Sequence, residues 1–392
     1  MTQAMARPLP FSTQEARILI ISDAAPHRNG VGAYYADLIE DLDGTVEAIE
    51  RISPEIVGDQ WQGGWSMPMP GDRTQKLCVP NAFEMQKALR EFQPTVVVIP
   101  TPGLFGLCGA ITARQQGIPV IVGFHTWFEK LAGLYWNRVQ GGLTKVYFEW
   151  VHKALFRLAD RVLVNSEDMI AIARRLGAES VGLMGTPISQ SLLQRPVQGG
   201  TRQLRSVLFV GRLAAEKNLP AIVQAAIACP QLTFTLAGDG PERDWLDRET
   251  AGLSNVRVLG WVEREQITDL IDAHDALVLP SQVESFGTVA MEAMARQRLV
   301  VVTQACGIAN WTDLAAGLAV IDSGDQLADA LQEASALSEF ELYARSVSAR
   351  RAVDAHIEWN RQQWLVCTRL AMSRPSDPTL MTRLLRTVRK SS

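Results

Sequence analysis

Cysteine is scarce in this sequence and follows no recognisable pattern. The 392 residues include five, at Cys78, Cys108, Cys229, Cys306 and Cys367. Their number is odd and no two of them stand in a CxxC spacing, so neither a disulfide framework nor a zinc site is expected. Cysteines that form neither disulfides nor zinc sites fit a reducing compartment, and we therefore expect a cytoplasmic protein.

The sequence also lacks a strong net charge and a long uninterrupted apolar run. Its formal net charge is −4, with 47% hydrophobic and 20% charged residues, which indicates a globular protein with no bias toward nucleic acid. The longest apolar run, at 96–111, is interrupted by Pro100, Pro102 and glycines. It therefore predicts a buried strand and a helix rather than a membrane span. The N-terminus shows no charged-then-apolar signal pattern either.

Strands that alternate with helical stretches are present in two series. The first series is expected at 17–23, 78–79, 95–100, 119–125, 161–165 and 181–184. The second series is expected at 206–210, 233–237, 256–259, 276–279, 299–302 and 318–321. Such alternation predicts parallel sheets with helices on both faces, and a chain of this length suits two α/β domains.

Composition places the boundaries between these domains. The stretch 186–205 is polar and rich in proline and glycine, which predicts a linker, whereas 53–76 is expected to be a long loop without assigned structure. We therefore assign 1–190 to a first domain and 191–355 to a second. The last helix, in the C-terminal segment 356–392, is predicted to cross back to the first domain.

The segment 275–303 contains the main polar motif of the second series. Its letters, DALVLPSQVESFGTVAMEAMARQRLVVVT, predict a strand, a loop, a helix beginning after Gly287 and a second strand. Glu284 then lies in the loop just before the helix, and Glu292 lies in its second turn. Both carboxylates are expected near one helix N-terminus, where they can accept hydrogen bonds from hydroxyl groups.

The same helix start also offers hydrogen-bond donors. The backbone N–H groups of Phe286, Gly287 and Thr288 are expected to lack intrahelical partners and to face one space. Amides in this arrangement bind anions. Together with the two carboxylates they fit a ligand that carries phosphate and many hydroxyls, and a nucleotide sugar is such a ligand.

A second polar segment follows the first strand of that series. In FVGRLAAEKNL, a strand ends in a turn at Gly211, and Arg212 and Lys217 flank the start of a helix near Asn218. Arginine offers a planar fork for phosphate oxygens, and lysine offers a mobile point charge. The pair therefore predicts a site for a phosphorylated ligand.

A glycine-rich turn lies between the first strand of the chain and its helix. Gly30 and Gly32 follow the strand at 17–23 and precede helical periodicity over 33–42, a layout that can hold phosphate on backbone amides. A dinucleotide-binding fingerprint is not matched, because Tyr35 stands where its third glycine would be. An ordinary turn between a strand and a helix remains an alternative.

These segments resemble the retaining glycosyltransferases of family 4. ESFGTVAME matches the E-x7-E motif of that family, FVGRLAAEKN matches its VGRL…EKN segment, and RNGVGAYYADL resembles its first loop. The resemblance is dense over 205–307, looser over 17–190 and weak beyond residue 320. It implies the GT-B fold, in which two Rossmann-like domains with parallel sheets face a cleft and the C-terminal domain holds the donor.

The resemblance also implies roles for residues of the second domain. Arg212 and Lys217 would neutralise the leaving diphosphate, because fixed positive charge stabilises the charge that develops there. Glu292 would accept hydrogen bonds from the ribose hydroxyls. The backbone around Trp261–Val262 would meet the base of the nucleotide.

Other residues would lie closer to the reacting sugar. Glu284 would bind a hydroxyl of the donor, the amides of 286–288 would bind its phosphate, and the turn at Gly30 and Gly32 would add to the donor site. His125, in the GFHTW segment, matches the family position near the reacting sugar and would orient the sugar or an acceptor hydroxyl. The leaving phosphate would take the acceptor proton, so Glu284 is not assigned as a nucleophile, and no metal or other cofactor is implied.

The chain departs from the family pattern at two places. Gln297-Arg298-Leu299 stands where the family usually has glycine followed by proline, and Ala305-Cys306-Gly307 stands where a pair of glycines is usual. The loop 304–310 lies near the donor sugar in the family. The identity of the sugar and of the nucleotide base therefore stays open.

The segment after His125 resembles that of the glycolipid-forming members of the family. The helix expected there carries the aromatic and cationic side chains typical of interfacial helices, namely Lys145, Tyr147, Trp150, His152, Lys153, Phe156 and Arg157. The C-terminal tail adds further cations at Arg383, Arg386, Arg389 and Lys390. We therefore expect a lipid acceptor such as diacylglycerol, and peripheral contact with the inner face of a membrane.

Three alternatives remain open. The acceptor could be a soluble molecule or a polysaccharide. The reaction could be that of a sugar phosphorylase or an epimerase, although the pair of Arg212 and Lys217 and the E-x7-E pattern argue against both. A nucleotide-sugar-binding protein without catalysis would keep the same polar positions, and only an assay separates it from an enzyme.

Overall fold

Two compact units make up the described part of the protein. The computed structural model describes residues 13–23, 30–57, 60–62, 66–69, 72–78, 80–125 and 138–373. One unit comprises the described residues up to Met184 together with those from Asn360 onward, and the other extends from Gly185 to Trp359. The tail cations singled out in the sequence lie outside the described residues.

The first unit contains a sheet of six parallel strands and two antiparallel hairpins. Its strands are β1 Arg17–Ile21, β2 Ala48–Ile52, β3 Glu55–Val57, β4 Gln60–Gln62, β5 Ser66–Met69, β6 Asp72–Cys78, β7 Val96–Ile99, β8 Val120–Phe124, β9 Arg161–Val164 and β10 Val181–Leu183. The large sheet has the order β10-β9-β8-β7-β1-β2, and the hairpins pair β3 with β4 and β5 with β6. Its α-helices are Gly30–Leu42, Ala82–Phe92, Leu104–Gln115, Arg138–Leu158 and Asp168–Arg175.

The second unit contains another sheet of six parallel strands. Its strands are β11 Ser206–Val210, β12 Thr233–Ala237, β13 Val256–Gly260, β14 Ala276–Leu279, β15 Leu299–Thr303 and β16 Ala319–Ile321, in the order β13-β12-β11-β14-β15-β16. Its α-helices are Gln190–Gln194, Leu219–Ala228, Arg243–Thr250, Arg264–Asp272, Thr288–Ala295 and Leu327–Ala336. A final helix, Glu339–Met372, belongs to this unit as far as Trp359 and to the first unit from Asn360.

The strands in the middle of both sheets are apolar along their whole length. Every residue of β7, β8, β14 and β15 is buried. A parallel strand covered by helices on both faces has no solvent side, so its sequence is a continuous run of Val, Ile and Leu rather than an alternation. These runs carried the sequence-based expectation of two parallel sheets, which the structure confirms.

Three features of the first unit differ from the expectation. Strand β2 was missed because its sequence, AIERI, carries charges and lies half-buried at the edge of the sheet. The region 53–76 contains strands of the two hairpins rather than a loop alone. Of the strand expected at 78–79, Cys78 is the last residue of β6, which pairs antiparallel with β5 outside the large sheet, and residue 79 lies outside the described residues.

The last helix begins earlier than expected, at Glu339 rather than near residue 356. The hydroxyl of Ser338 accepts the N–H of Glu341 at 3.3 Å, and the carboxylate of Glu341 accepts the N–H of Ser338 at 2.9 Å. This reciprocal pair is a capping box, which satisfies two N–H groups at the start of a helix. In the part that belongs to the first unit, buried Trp364 donates to the hydroxyl of Tyr34 at 3.0 Å.

The helix Arg138–Leu158 is less cationic than its sequence suggests. His152 is buried, and its ring lies 4.8 Å from that of Phe124 and 5.6 Å from that of Phe156. Burial lowers the pKa of His152 to about 4, so this residue is neutral and belongs to the core. Val146 and Trp150, 66% and 57% exposed, are the apolar side chains that the helix presents to solvent among its described side chains. No helix of the described residues has the length and apolar character needed to cross a membrane.

Replacing His152 with phenylalanine tests this burial. Folding holds the imidazole neutral, so as the pH falls below about 6.5 the unfolded chain takes up a proton that the folded protein does not. Stability is lost on acidification for that reason, and His152 contributes about 2 kcal/mol of the loss between pH 7 and pH 5. In His152→Phe, the free energy of unfolding from urea titrations should differ between pH 7 and pH 5 by about 2 kcal/mol less than in the wild type. An unchanged difference would mean that the folded protein already holds the proton.

Candidate active site

The strand order of the second sheet reverses at β11, and in open α/β sheets such a reversal forms a crevice outside the carboxyl ends of the strands. Strand β11 pairs with β12 on one side and with β14 on the other. The chain therefore continues from β11 to β12 on one side of the sheet and from β14 to β15 on the other. Ligands of open α/β sheets bind at such a point, outside the carboxyl ends of the strands. The segment 211–218 follows β11, and the segment 280–288 follows β14. Both polar motifs predicted from the sequence therefore adjoin this crevice.

The segment after β11 is held in place by the turn after β12. The N–H of Gly211 donates to the carbonyl of Ala237 at 3.0 Å. At Gly238, where φ is +144°, a Cβ atom would stand 1.9 Å from the carbonyl oxygen of Gly211. Only glycine permits this approach, which fixes the turn that carries Arg212, an exposed residue.

Lys217 and Glu284 form an ion pair between the two segments. The Nζ of Lys217 donates to Oε2 of Glu284, and their side chains are only 15% and 18% exposed. Burial alone would lower the pKa of Lys217, but the adjacent Glu284 carboxylate outweighs it and raises that pKa above its ordinary value. The ammonium group is therefore charged, and it lies where the sequence predicts a phosphate site. The backbone reinforces the link, since the N–H of Gln282 donates to the carbonyl of Glu216 at 2.8 Å.

The helix Thr288–Ala295 starts directly after this ion pair. Gly287 has a φ of 97°, a left-handed conformation that turns the chain sharply from the loop into the helix. The N–H groups of Gly287 and Thr288 donate to no atom within the described ranges. A helix start presents such unpaired donors and a partial positive charge, so it can bind an anion. The side chain of Phe286, just before these two residues, is buried and anchors the loop.

The loop at 304–310 packs directly on the segment that follows β14. The N–H of Gly307 donates to the carbonyl of Glu284 at 3.0 Å, and a Cβ at Gly307 would stand 2.0 Å from the carbonyl oxygen of Ser285. Cys306 is fully buried, and burial raises the pKa of its thiol to about 11. The cysteine at this unusual position is thus a neutral packing residue, while the glycine beside it is required by the close approach.

Glu292 lies in the second turn of the helix, as expected, but it pairs with a residue that sequence reasoning missed. Its Oε1 is 3.9 Å from Nη2 of Arg264, at the start of the helix Arg264–Asp272. Burial raises the pKa of Glu292, and the positive charge of Arg264 opposes that rise. Nothing in the sequence distinguishes Arg264 from other charged residues at helix starts. Its importance depends on the packing of two helices.

The segment after β13 reaches the same edge of the sheet. The carbonyl of Gly260 accepts the N–H of Gly238 at 2.7 Å, which joins this segment to the turn after β12. Trp261 is 66% exposed, and its indole N–H donates to Glu263 at 3.3 Å. Val262 beside it is half-buried. An exposed indole at this edge offers a flat apolar surface and stands apart from the core.

His125 directly follows β8 in the first unit, where it is buried and surrounded by aromatic rings. Its Nε2 lies 3.0 Å from the hydroxyl of Tyr35, and its ring centroid is 4.6 Å from that of Tyr34. The amide of Asn165 donates to the backbone carbonyl of His125 at 3.3 Å. Burial lowers the pKa of His125 to about 3, so the imidazole is neutral.

Gly30 and Gly32 lie inside the first turn of the helix Gly30–Leu42 rather than in a turn before it. Neither residue has a left-handed φ. The carbonyl of Gly32 accepts from Nη1 of Arg51 at 3.1 Å. Residues 24–29, which complete the predicted phosphate-binding turn, lie outside the described residues.

A neighbouring helix start in the first unit is already occupied by a side chain. Asp23, just beyond β1, accepts the N–H groups of Phe105 and Gly106 at 2.9 and 3.0 Å and the hydroxyl of Thr101 at 2.9 Å. Its carboxylate therefore caps the helix Leu104–Gln115. Gly103 leaves room for this, since a Cβ there would stand 2.1 Å from Asp23. Among the described residues, no group of three or more His, Cys, Asp or Glu side chains is placed to hold a metal ion.

Comparison with known families matches both units. The family described as "Glycosyl transferases group 1" matches residues 205–336, and "Glycosyltransferase Family 4" matches residues 29–182. Sulfoquinovosyl transferase SQD2 of Arabidopsis thaliana is 24% identical over 66% of this chain and 52% of its own length. GDP-mannose-dependent alpha-mannosyltransferase of Mycobacterium tuberculosis is 27% identical over 74% of this chain and 80% of its own length. The chain thus spans about half the length of the first of these relatives.

Solved structures match over nearly the whole chain. Sucrose-phosphate synthase from Thermosynechococcus elongatus superposes with a TM-score of 0.67 and 18% identity, over 96% of this chain and 100% of that one. Anabaena Alr3699/HepE in complex with UDP and glucose superposes with a TM-score of 0.65 and 18% identity, over 90% and 99% of the two chains. The GT-B class of fold expected from the sequence is thereby confirmed.

Substitution of Gly238 tests the contact that holds the segment after β11. Gly238→Ala should lower the free energy of unfolding by about 2 kcal/mol or more, because its Cβ would overlap the Gly211 carbonyl and its φ would be strained. Gly252→Ala is the matched control, since no atom lies within 4 Å of a Cβ there and its φ is not left-handed. Denaturant titrations compare the two, and equal stability would contradict the close approach.

Proposed function

Since the chain belongs to the group 1 glycosyltransferases of family 4, we propose that it moves a hexose from a nucleotide diphosphate sugar to an acceptor hydroxyl with retention of configuration. The observation that carries this proposal is the partly buried ion pair of Lys217 and Glu284 beside the open start of the helix Thr288–Ala295. It places a cation, amide donors and a carboxylate at one edge of one sheet.

The diphosphate of the donor would occupy this edge. Arg212 and Lys217 would neutralise its charge, and the N–H groups of Gly287 and Thr288 would donate to its oxygens. These groups are held by the backbone contacts that fix both segments, so little reorganisation accompanies the departure of the nucleoside diphosphate. The two side-chain cations supply the positive charge, and we expect activity without a divalent metal.

Donor binding would exchange the partners of the ion pair. A phosphate oxygen would replace Glu284 beside Lys217, and the released carboxylate would accept a hydrogen bond from a hydroxyl of the sugar. Glu292, held by Arg264, would accept from the ribose, and the Trp261–Val262 segment would meet the base. Relatives and structural neighbours named for GDP-mannose and UDP-glucose donors make those two the first donors to test.

The transfer itself would proceed on one face of the sugar. The bond from the anomeric carbon to the diphosphate oxygen breaks, the bond to the acceptor oxygen forms on the same face, and the acceptor proton passes to the leaving phosphate. No protein nucleophile takes part, and His125 orients the sugar or the acceptor hydroxyl. Product analysis by NMR should show the anomeric configuration of the donor, whereas a glycosyl adduct trapped on Glu284 would contradict this route.

Removal of the Lys217 ammonium tests the proposed donor site. Lys217→Met should lower turnover about 10²–10³-fold, because the charge on the leaving diphosphate loses a fixed partner. Release of UDP or GDP is measured with a panel of nucleotide sugars and a lipid extract as acceptor, with and without EDTA. Lys87→Met, at a half-exposed lysine of the first unit, is the control and should match the wild type. Equal turnover in both variants would refute the assignment, and donor binding without any release would indicate a binding protein.

We further propose that the acceptor is a membrane lipid. The supporting observation is the exposed face of the helix Arg138–Leu158, where Val146 and Trp150 stand one turn apart with exposed Arg157 on the same helix. Apolar and aromatic side chains with a nearby cation suit an interfacial helix, which lies on an anionic membrane without crossing it. A protein held in this way would be peripheral at the inner face of a membrane.

Binding to lipid vesicles tests this surface. Trp150→Ser should reduce co-sedimentation with anionic phospholipid vesicles at low salt about tenfold, because the indole would no longer enter the interface. Phe340→Ser is the control, an aromatic residue of the second unit that is 78% exposed. If the wild type does not sediment with vesicles, or if both variants lose binding alike, a soluble acceptor is favoured.

A further inference from the structure

A single buried hydrogen bond connects Tyr35 with His125. The hydroxyl oxygen of Tyr35 lies 3.0 Å from Nε2 of His125, with Tyr35 fully buried and His125 8% exposed. Gly123 makes the approach feasible, since a Cβ there would stand 2.2 Å from the Tyr35 hydroxyl. Three residues from two elements, the helix Gly30–Leu42 and the end of β8, thus specify this contact.

The direction of the bond follows from the partners that each group has. Within the described ranges, neither the Tyr35 hydroxyl nor Nδ1 of His125 makes a second hydrogen bond. If Tyr35 donates to Nε2, its only proton is used and the lone pair of Nε2 is satisfied. If His125 donates instead, the buried O–H of Tyr35 has no acceptor and Nδ1 has no donor, which leaves two unsatisfied groups in place of one.

We infer that Tyr35 is a positioning residue that donates to Nε2 of His125 and so holds the imidazole in the tautomer with its proton on Nδ1. His125 then presents an N–H donor to its ligand. The group that it meets must be a hydrogen-bond acceptor, such as a hydroxyl, ring or acidic oxygen of a sugar substrate. This inference rests on the proposed function for the role of His125, but the tautomer stands on the geometry alone.

In this tautomer, His125 can orient a ligand but cannot take a proton from it. An imidazole whose Nε2 is occupied and whose Nδ1 bears hydrogen has no lone pair to offer, so it cannot remove a proton from the acceptor. Burial lowers the pKa of His125 to about 3, which keeps the imidazole neutral. Burial also raises the pKa of Tyr35 far above its ordinary value, so the phenol keeps its proton.

Tyr34 provides a matched control in the same cluster. Its ring also packs on that of His125, at 4.6 Å, but its hydroxyl accepts from the indole of Trp364 at 3.0 Å and not from the imidazole. Tyr34→Phe therefore removes one buried hydroxyl and leaves the bond to His125 in place. Tyr35→Phe removes the bond itself and keeps the shape of the ring.

The experiment reads the tautomer directly from ¹⁵N chemical shifts of the histidine-labelled full chain. The protein has five histidines, and the signal absent from His125→Gln identifies the one of interest. The wild type and Tyr34→Phe should both show a proton on Nδ1, whereas Tyr35→Phe should show a mixture of both tautomers. Alongside, kcat of Tyr35→Phe should fall about 10–100-fold with an unchanged KM for the donor.

The possible outcomes are distinct. A proton on Nε2 in the wild type, or an unchanged tautomer in Tyr35→Phe, overturns the inference whether or not the protein is active. An altered tautomer with unchanged kcat overturns the positioning role of Tyr35. If the wild type shows the expected tautomer but no transfer with any donor, the proposed function fails while the assignment of the proton stands.

Discussion

The ion pair between Lys217 and Glu284 is the contact on which the second unit's site depends. Both side chains are mostly buried, so each charge offsets part of the cost of burying the other. The pair joins segments that follow β11 and β14, two strands that pair directly but from which the chain leaves in opposite directions. Under the proposed function, Glu284 in the protein without donor takes the place beside Lys217 that the diphosphate would take. The cation is held in position before a ligand arrives.

The two units have similar sheets but differ in what their helix starts can bind. In the first unit, the helix Leu104–Gln115 follows β7 and is capped by the carboxylate of Asp23, which already fills the place of an anion. In the second unit, the helix Thr288–Ala295 follows β14 and begins with unpaired amides and a nearby ammonium group. The helix starts after β7 and β14, strands that pair with β1 and β11 respectively, therefore have opposite electrostatic character. This difference supports a donor site in the second unit.

Much of the fold could be predicted because buried parallel strands consist of continuous runs of apolar residues. Strands β11, β12 and β14 were predicted to the residue, and the helix with Glu292 in its second turn was found from its spacing. Strand β2 was not, because an edge strand with charged residues resembles a loop. The early start of the last helix is encoded by Ser338 and Glu341, a capping pattern that hydrophobic periodicity alone does not reveal.

The site was only partly predictable, because motifs identify residues and not their partners. Lys217, Glu284 and the amides of 287–288 were each expected near phosphate, but the direct bond between the two side chains depends on how strands separated by 65 residues pair. Arg264 beside Glu292 and Tyr35 beside His125 are contacts of the same kind. Tyr35 entered the sequence argument only as a reason against a dinucleotide fingerprint, and its role emerges from Gly123 and the end of β8.

The most direct test of the account is a calorimetric titration of UDP and GDP into the wild type, Lys217→Met and Glu284→Gln. If the diphosphate replaces Glu284 beside Lys217, Lys217→Met should bind the preferred nucleotide at least tenfold more weakly, by analogy with other lost charge-assisted contacts. Glu284→Gln should bind it as tightly as the wild type or more tightly, because the ammonium group no longer has to leave a carboxylate. Equal affinity in all three proteins, or a loss in Glu284→Gln as large as that in Lys217→Met, would contradict the account.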